Sequence, residues 1–190
     1  MELEAGDSGI RSLVSVQGSL AMFAIHRWGS EEQKQQWLPN MAAGEAIGCF
    51  GLTEPDHGSD PASMRTRAKA DGDDWILNGR KVFISGVDQA QAVLIVARTE
   101  DAKTGNLKPA LFIVPTDSEN FSYTMIDMEL QNPEKQFQLF LDDVRLPADA
   151  LVGSEDAALS QLFAGLNPER IMAAEIEEHT SELQSRETIS

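Results

Sequence analysis

Only one cysteine, Cys49, occurs in 190 residues. A lone thiol cannot close an intramolecular disulfide, so nothing here calls for an oxidising compartment. Its apolar neighbours predict a buried, structural thiol. Basic residues are scarce as well, 15 against 31 acids, for a formal net charge of -16. Such a field repels a phosphate backbone and argues against general nucleic-acid binding, so an anionic ligand must be held by local donors. No apolar run is long enough to span a bilayer. The opening Met-Glu-Leu-Glu is too acidic for a signal peptide. The cytoplasm is the expected compartment. Neither GxGxxG nor a Walker A loop is present, which removes Rossmann and P-loop nucleotide sites. His26, His57 and His179 stand far apart, without metal-ligand spacing. Asp56, His57 and Asp60 read as a solvated loop, and no metal is expected. Gly6-Asp7-Ser8-Gly9 lacks both the spacing and the preceding strand of a nucleophile elbow.

What is present is enough apolar sequence, 42%, to build a core. Ile10, Leu13, Val14, Gln17, Leu20, Ala21, Ala24 and Ile25 follow helical spacing with one polar gap. Asp7 or Ser8 can cap this helix and Gly29 stops it. Ser30 opens a second helix with Gln33 placed for a capping box, and Gly44 ends it. Neither helix can bury its own apolar face, so both should pack on something larger. Ile47–Leu52 is then a short apolar run, and Thr53–Ala62 a polar loop. Arg65–Ala70 and Trp75–Asn78 flank Asp71-Gly72, a hairpin signal. Asn78-Gly79 predicts a second turn before Lys81–Ser85. Ala92–Ala97 and Ala110–Val114 are continuous apolar runs, as in strands buried on both faces, with a turn at Thr104-Gly105-Asn106. Phe121–Ile126 is a further strand, and Phe137, Leu139 and Leu141 alternate at period two. Leu159, Leu162, Phe163 and Leu166 return to a helical stripe, interrupted at Pro168. Glu177–Ser190 is polar and predicts a frayed tail. The expectation is α+β: N-terminal helices over residues 1–46, a central antiparallel β-barrel or sandwich over 47–153, and a C-terminal helix within 154–190.

The most informative stretch is Cys49-Phe50-Gly51-Leu52-Thr53-Glu54-Pro55-Asp56-His57-Gly58-Ser59-Asp60, a strand ending in a polar loop. Such a loop can present amides and hydroxyls to an anion, or can simply bond to its own backbone. As a motif it strongly resembles the signature of the acyl-CoA dehydrogenase family. Asp71–Gly86, with Asn78-Gly79-Arg80-Lys81-Val82-Phe83-Ile84-Ser85, is similar to that family's second flavin segment. Val96-Ala97-Arg98, Phe112-Ile113-Val114-Pro115, Leu141-Asp142-Asp143-Val144-Arg145-Leu146-Pro147 and, upstream, Trp28-Gly29-Ser30-Glu31-Glu32-Gln33-Lys34 match in the same order.

The resemblance implies a fold and a site. Family members join an N-terminal helical domain, a middle β-domain and a C-terminal helical bundle. This chain would hold the last helices of the first, the whole second and the opening of the third. By similarity, Phe50, Gly51, Leu52 and Thr53 lie along a bound FAD, with Thr53 bonding its polar edge. Phe83, Ile84 and Ser85 match the segment on the flavin's other side, where many relatives carry Trp and Thr. Gly58 and Ser59 match positions lining the acyl-CoA entrance, and Ser59 also the flavin's phosphate side. The family removes an α-proton from a thioester with a glutamate while the β-hydrogen leaves as hydride. Most members supply that base from the bundle, and some from its first helix, where Glu169-Arg170 falls. An electron acceptor such as an electron-transfer flavoprotein, a place in fatty acid metabolism and homo-oligomeric assembly are implied in the same way. Two departures stand out: Asn132-Pro133-Glu134-Lys135 replaces a glycine-containing segment, and the tail after Ala174 does not resemble the family's long helix. The residues alone leave open a related flavin oxidase or monooxygenase, and a binding module without turnover. Ordinary core packing for Phe83 and a solvent-facing Glu169 are the plain alternatives at those positions.

Overall fold

The computed structural model describes residues 8–101, 103–129, 134–154 and Leu166. Helix α1 (Ser8–Val14) continues through a π-helical stretch, Ser15–Met22, into α2 (Phe23–Trp28). Helix α3 (Glu31–Ala42) starts as expected. The Ser30 hydroxyl accepts from the Gln33 amide and the Gln33 side chain accepts from the Ser30 amide, a reciprocal cap. Gln33 does more than cap. Its side-chain nitrogen donates to the carbonyls of Asp149 and Leu151, tying α3 to the far end of the β-domain.

Ile10, Leu13 and Val14 depart from expectation: they are about half exposed, while Leu20, Ala21, Ala24 and Ile25 are buried. A π-helical segment has more residues per turn than an α-helix. It rotates the α1 stripe out of phase with the residues beyond it. Gln17, the polar gap in the pattern, is used. Its amide nitrogen donates to the Met41 and Ala46 carbonyls and its oxygen accepts from the Gly48 amide, so the helix fixes the start of the first strand.

Eight strands follow: β1 (Gly48–Gly51), β2 (Arg67–Asp71), β3 (Asp74–Ser85), β4 (Ala92–Glu100), β5 (Leu107–Pro115), β6 (Phe121–Ile126), β7 (Gln136–Pro147) and β8 (Leu151–Val152). They form one sheet in the order β6-β7-β3-β2-β4-β5-β8, with β1 also on β4. Most pairings are antiparallel, but β1–β4 and β2–β4 are parallel, so the sheet is mixed rather than purely antiparallel. The sheet curls without closing. β4 is buried on both faces, as its unbroken apolar run predicts. Val93, Ile95 and Ala97 join Leu77, Ile84, Leu139, Leu141 and Val144 in one core. Ala92, Leu94 and Val96 join Ala21, Ala24, Ile25 and Met41 in the other, under the helices. Trp75 of β3 meets Phe112 of β5 edge to face across the first core. Of the C-terminal stripe only Leu166 is described, packed against the helix-side core. Leu159, Leu162, Phe163, Glu169 and the tail lie outside the described residues.

The β2–β3 hairpin turns at Gly72-Asp73, with Asp71 paired to Asp74 and Gly72 at φ 65°. Asn78-Gly79 is not a turn: β3 runs straight through it. Opposite, β7 carries an extra residue at Asp142–Asp143, where the register with β3 shifts between Leu77 and Gly79. The Asn78 side chain serves that bulge, donating to the Asp143 carboxylate and accepting from the Asp143 amide. Gly79 is required for another reason. A Cβ there would fall 2.4 Å from the Thr66 hydroxyl and 2.7 Å from its Cα, at a φ of 154°. A second shift, between Lys81 and Ile84, places the extra residue on β3 at Val82–Phe83. Gly79→Ala is therefore expected to lower stability by about 2–4 kcal/mol through overpacking and strain, read as a fall in urea midpoint.

Candidate functional site

Lys81 lies in β3 at even spacing from the buried Leu77, so a regular strand turns it inward. Its side chain has no solvent exposure. Burying an ammonium is costly unless it is paired. Glu54, itself 4% exposed, meets it at 2.9 Å. The Glu54 carboxylate also accepts from the Thr66 amide at 2.9 Å and the Arg65 amide at 2.6 Å. The Lys81 ammonium donates further to the Leu52 carbonyl at 3.0 Å. Burial pushes the Glu54 carboxyl up. The Thr66 hydroxyl, the Arg65 amide, the Lys81 cation and the Thr66 amide together outweigh it and hold the group at about 2. Burial pulls Lys81 down and Glu54 opposes it, leaving the ammonium at about 8. The pair is ionised at neutral pH.

This pair stands where two expected site segments meet. The Thr53 carbonyl accepts from the Val82 amide at 2.9 Å, and the Cys49 thiol donates to the Ser85 carbonyl at 2.9 Å. β1 thus runs beside the second half of β3, bringing Phe50–Thr53 next to Phe83–Ser85. Cys49 is buried as expected, and burial raises its thiol to about 12, so it is inert at neutral pH.

The side chains divide by face. Phe50 and Leu52 pack against the helix-side core. Gly51 is bare because a Cβ would lie 2.6 Å from the Ile95 side chain. The Thr53 hydroxyl makes no hydrogen bond among the described residues. Ile84 is buried in the strand-side core and presents only backbone. Phe83 is 59% exposed at φ 58°. A bulky residue in the left-handed region costs about 1–3 kcal/mol and is held only where its surroundings fix it. Here Val82 is bound to Thr53 and Ile84 is anchored in the core. Lys81 and Phe83, two residues apart, would share a face in a regular strand. The bulge between Lys81 and Ile84 turns the first inward and the second outward. The Ser85 hydroxyl accepts from the Gln136 side chain at 2.7 Å and keeps its proton free to donate.

Phe83, Met125, Met128, Glu134, Lys135 and Gln136 line a cavity of about 330 Å³. It takes Phe83 from the expected set but not Ile84, Ser85 or any of Phe50–Thr53. Glu134, in the segment that departs from the family pattern, places a buried carboxylate oxygen here without a partner among the described residues. Gly58 and Ser59 are exposed on the loop after a Glu54–His57 bridge, and His57 Nε2 is buried without a partner among the described residues. Glu54 and Lys81 were not singled out by motif reading. An inward lysine demanding a buried acid was the available signal.

Comparison with known proteins identifies the family. The family profile "Acyl-CoA dehydrogenase, N-terminal domain" matches residues 1–45, and "Acyl-CoA dehydrogenase, middle domain" matches residues 49–144. The chain belongs to the acyl-CoA dehydrogenase family. It is 59% identical over 173 residues to acyl-CoA dehydrogenase FadE12 of Mycobacterium tuberculosis, covering 91% of this chain and 44% of that protein. It is 38% identical over 179 residues to the mitochondrial long-chain specific acyl-CoA dehydrogenase of Sus scrofa, covering 92% and 41%. A glutaryl-CoA dehydrogenase from Mycobacterium smegmatis, solved in complex with FADH2, superposes with a TM-score of 0.82 at 52% identity, over 90% of this chain and 43% of that one. The chain spans less than half the length of these relatives.

Removing one partner from the buried pair leaves an orphan charge. Lys81→Met is expected to cost about 3–5 kcal/mol by urea unfolding. Acid should expose the same pair. The Glu54 carboxyl is lowered on folding, so its contribution is complete above its ordinary value of 4.5 and is lost as pH falls from there to about 2. The difference in stability between the native chain and Glu54→Gln should therefore shrink by about 3 kcal/mol across that window.

Proposed function

We propose that this chain carries the flavin- and thioester-facing β-domain of an FAD-dependent acyl-CoA dehydrogenase, which oxidises an acyl-CoA thioester at its α and β carbons. The carrying observation is the run of β1 beside β3, which binds Thr53 to Val82 next to the exposed, bulged Phe83 and sets Cys49 against Ser85, in a chain of this family. These residues suit an isoalloxazine ring. Phe83 offers an aromatic face, Thr53 an unengaged hydroxyl, and Ser85 a hydroxyl that can still donate. FAD supplies the two-electron acceptor. The chain's residues orient it and exclude water from one side, and Gly58 and Ser59 would border the thioester's approach.

On this reading residues 1–46 end the N-terminal helical domain, 47–153 form the β-domain and 154–190 open the C-terminal bundle. Glu169, by resemblance, is the α-proton base once partner helices bury it; alone, the chain does not turn over acyl-CoA. The relatives named for long-chain and glutaryl substrates support the thioester class and leave the acyl group open. An electron-transfer flavoprotein as acceptor, assembly with further copies and a cytoplasmic setting complete the proposal.

FAD titration of the purified 190-residue chain, followed by flavin fluorescence anisotropy, tests it. Weak, saturable binding is expected, and none at all would refute the reading. Phe83→Asn should leave the fold at least as stable, since asparagine tolerates the left-handed conformation. It should weaken FAD about tenfold by removing the aromatic face. With a relative's C-terminal bundle grafted on, Glu169→Gln should reduce acyl-CoA-dependent flavin reduction about 10²–10⁴-fold. An unchanged rate would place the base elsewhere.

A further inference from the structure

A buried ion pair is poor evidence for stability, because two well-packed apolar residues often serve as well or better. Glu54–Lys81 does something apolar residues could not: Lys81 makes a second contact, to the Leu52 carbonyl at 3.0 Å. We infer that Lys81, held by Glu54, is a positioning residue for the flavin, fixing and polarising the Leu52–Thr53 peptide so that the Thr53 N–H is presented to the flavin's polar edge. This rests on the flavin reading above.

The geometry carries the argument in three steps. A trans peptide is planar, with its C=O and N–H on opposite sides, and no described peptide is cis. With the Leu52 oxygen aimed at the buried ammonium, the Thr53 N–H points away from it. A cation on a carbonyl oxygen draws charge through the amide and makes its N–H a better donor, more so in a low-dielectric interior. Finally, the next carbonyl, that of Thr53, is fixed by the Val82 amide at 2.9 Å. Leu52 and Thr53 are thus matched one to one with Lys81 and Val82, immediately before Phe83. Glu54 completes the clamp. Bound to the Arg65 and Thr66 amides, it holds the ammonium on the Leu52 oxygen from the other side.

The test separates positioning from stability. The double variant Glu54→Gln/Lys81→Met removes both charges together, so no buried charge is left unpaired. Three quantities are read on the 190-residue chain: the urea midpoint, the Thr53 amide proton by ¹⁵N-resolved NMR, and FAD affinity by anisotropy. The expected result is a folded protein whose Thr53 amide proton moves upfield and whose FAD binding weakens about tenfold. Glu54→Gln alone removes the holder of the ammonium. It should lower the midpoint, move the Thr53 resonance upfield and weaken FAD in the same direction as the double variant, and this arm decides the matter even if the double variant does not fold. A Thr53 resonance unmoved in the folded double variant, with FAD bound equally well, overturns the proposal. So does a Val144→Ala chain, destabilised in the strand-side core outside the clamp, whose Thr53 resonance and FAD affinity shift as far as those of the double variant. A wild-type chain that binds no FAD sinks the functional reading, an outcome distinct from either.

Discussion

Lys81 carries its charge without any contact with water because Glu54 lies 2.9 Å away and is itself tied to two backbone amides. Four stretches of chain depend on that arrangement: the end of β1 through Leu52, the loop through Glu54, the entry to β2 through Arg65 and Thr66, and the middle of β3. The ladder between β2 and β3 begins only at Arg67 with Asn78 and does not reach Lys81. β2 and β4 share a single register pair, Arg67 with Arg98, and β1 takes over on the same edge of β4 from Gly48 to Gly51. The ion pair stands where β1 ends and β2 begins, at a gap in sheet hydrogen bonding that a hydrophobic contact could fill but could not pair.

Around that point the molecule sorts its residues by face. β4 separates two cores, one shared with the helices and one shared with β3 and β7. The residues proposed to face the flavin lie at the rim between them. Phe50 leans on the helix-side core, Ile84 on the strand-side core, and Thr53, Phe83 and Ser85 remain at the surface. Rigidity below and exposed aromatic and hydroxyl groups above are what a flat cofactor needs from a scaffold.

Several elements could be read from the sequence because their cause is local. The capping box at Ser30 and Gln33, the Gly72 turn and the double-sided burial of Ala92–Ala97 and Ala110–Val114 each follow from neighbouring residues. The misses have non-local causes. Ile10, Leu13 and Val14 look buried until a π-helical stretch turns them outward. Asn78-Gly79 has turn chemistry, but its asparagine is engaged by a bulge on β7 and its glycine by Thr66, contacts that exist only after distant segments meet. The expected site segments came from family resemblance, and the structure sets Phe50–Thr53 beside Phe83–Ser85. The Lys81–Glu54 pair that aligns them was not legible, since a lysine in a strand is ordinarily an edge residue. The mixed character of the sheet was hidden for the same reason, because the parallel pairing of β1 with β4 spans a long separation in sequence.

The two irregularities between β3 and β7 behave as a pair of dislocations of opposite sign. At Asp142–Asp143 the extra residue sits on β7; at Val82–Phe83 it sits on β3. The slip introduced by the first is cancelled by the second, so Ser85 faces Gln136 in the same phase in which Asp74 faces Pro147. The offset is confined to the window between them, which holds Gly79, Arg80 and Lys81. Outside it the sheet is unaware that any offset occurred. The two long strands can therefore present an inverted face at one place, with a buried cation and then an outward aromatic, while both ends of the pairing keep the alternation that their cores require.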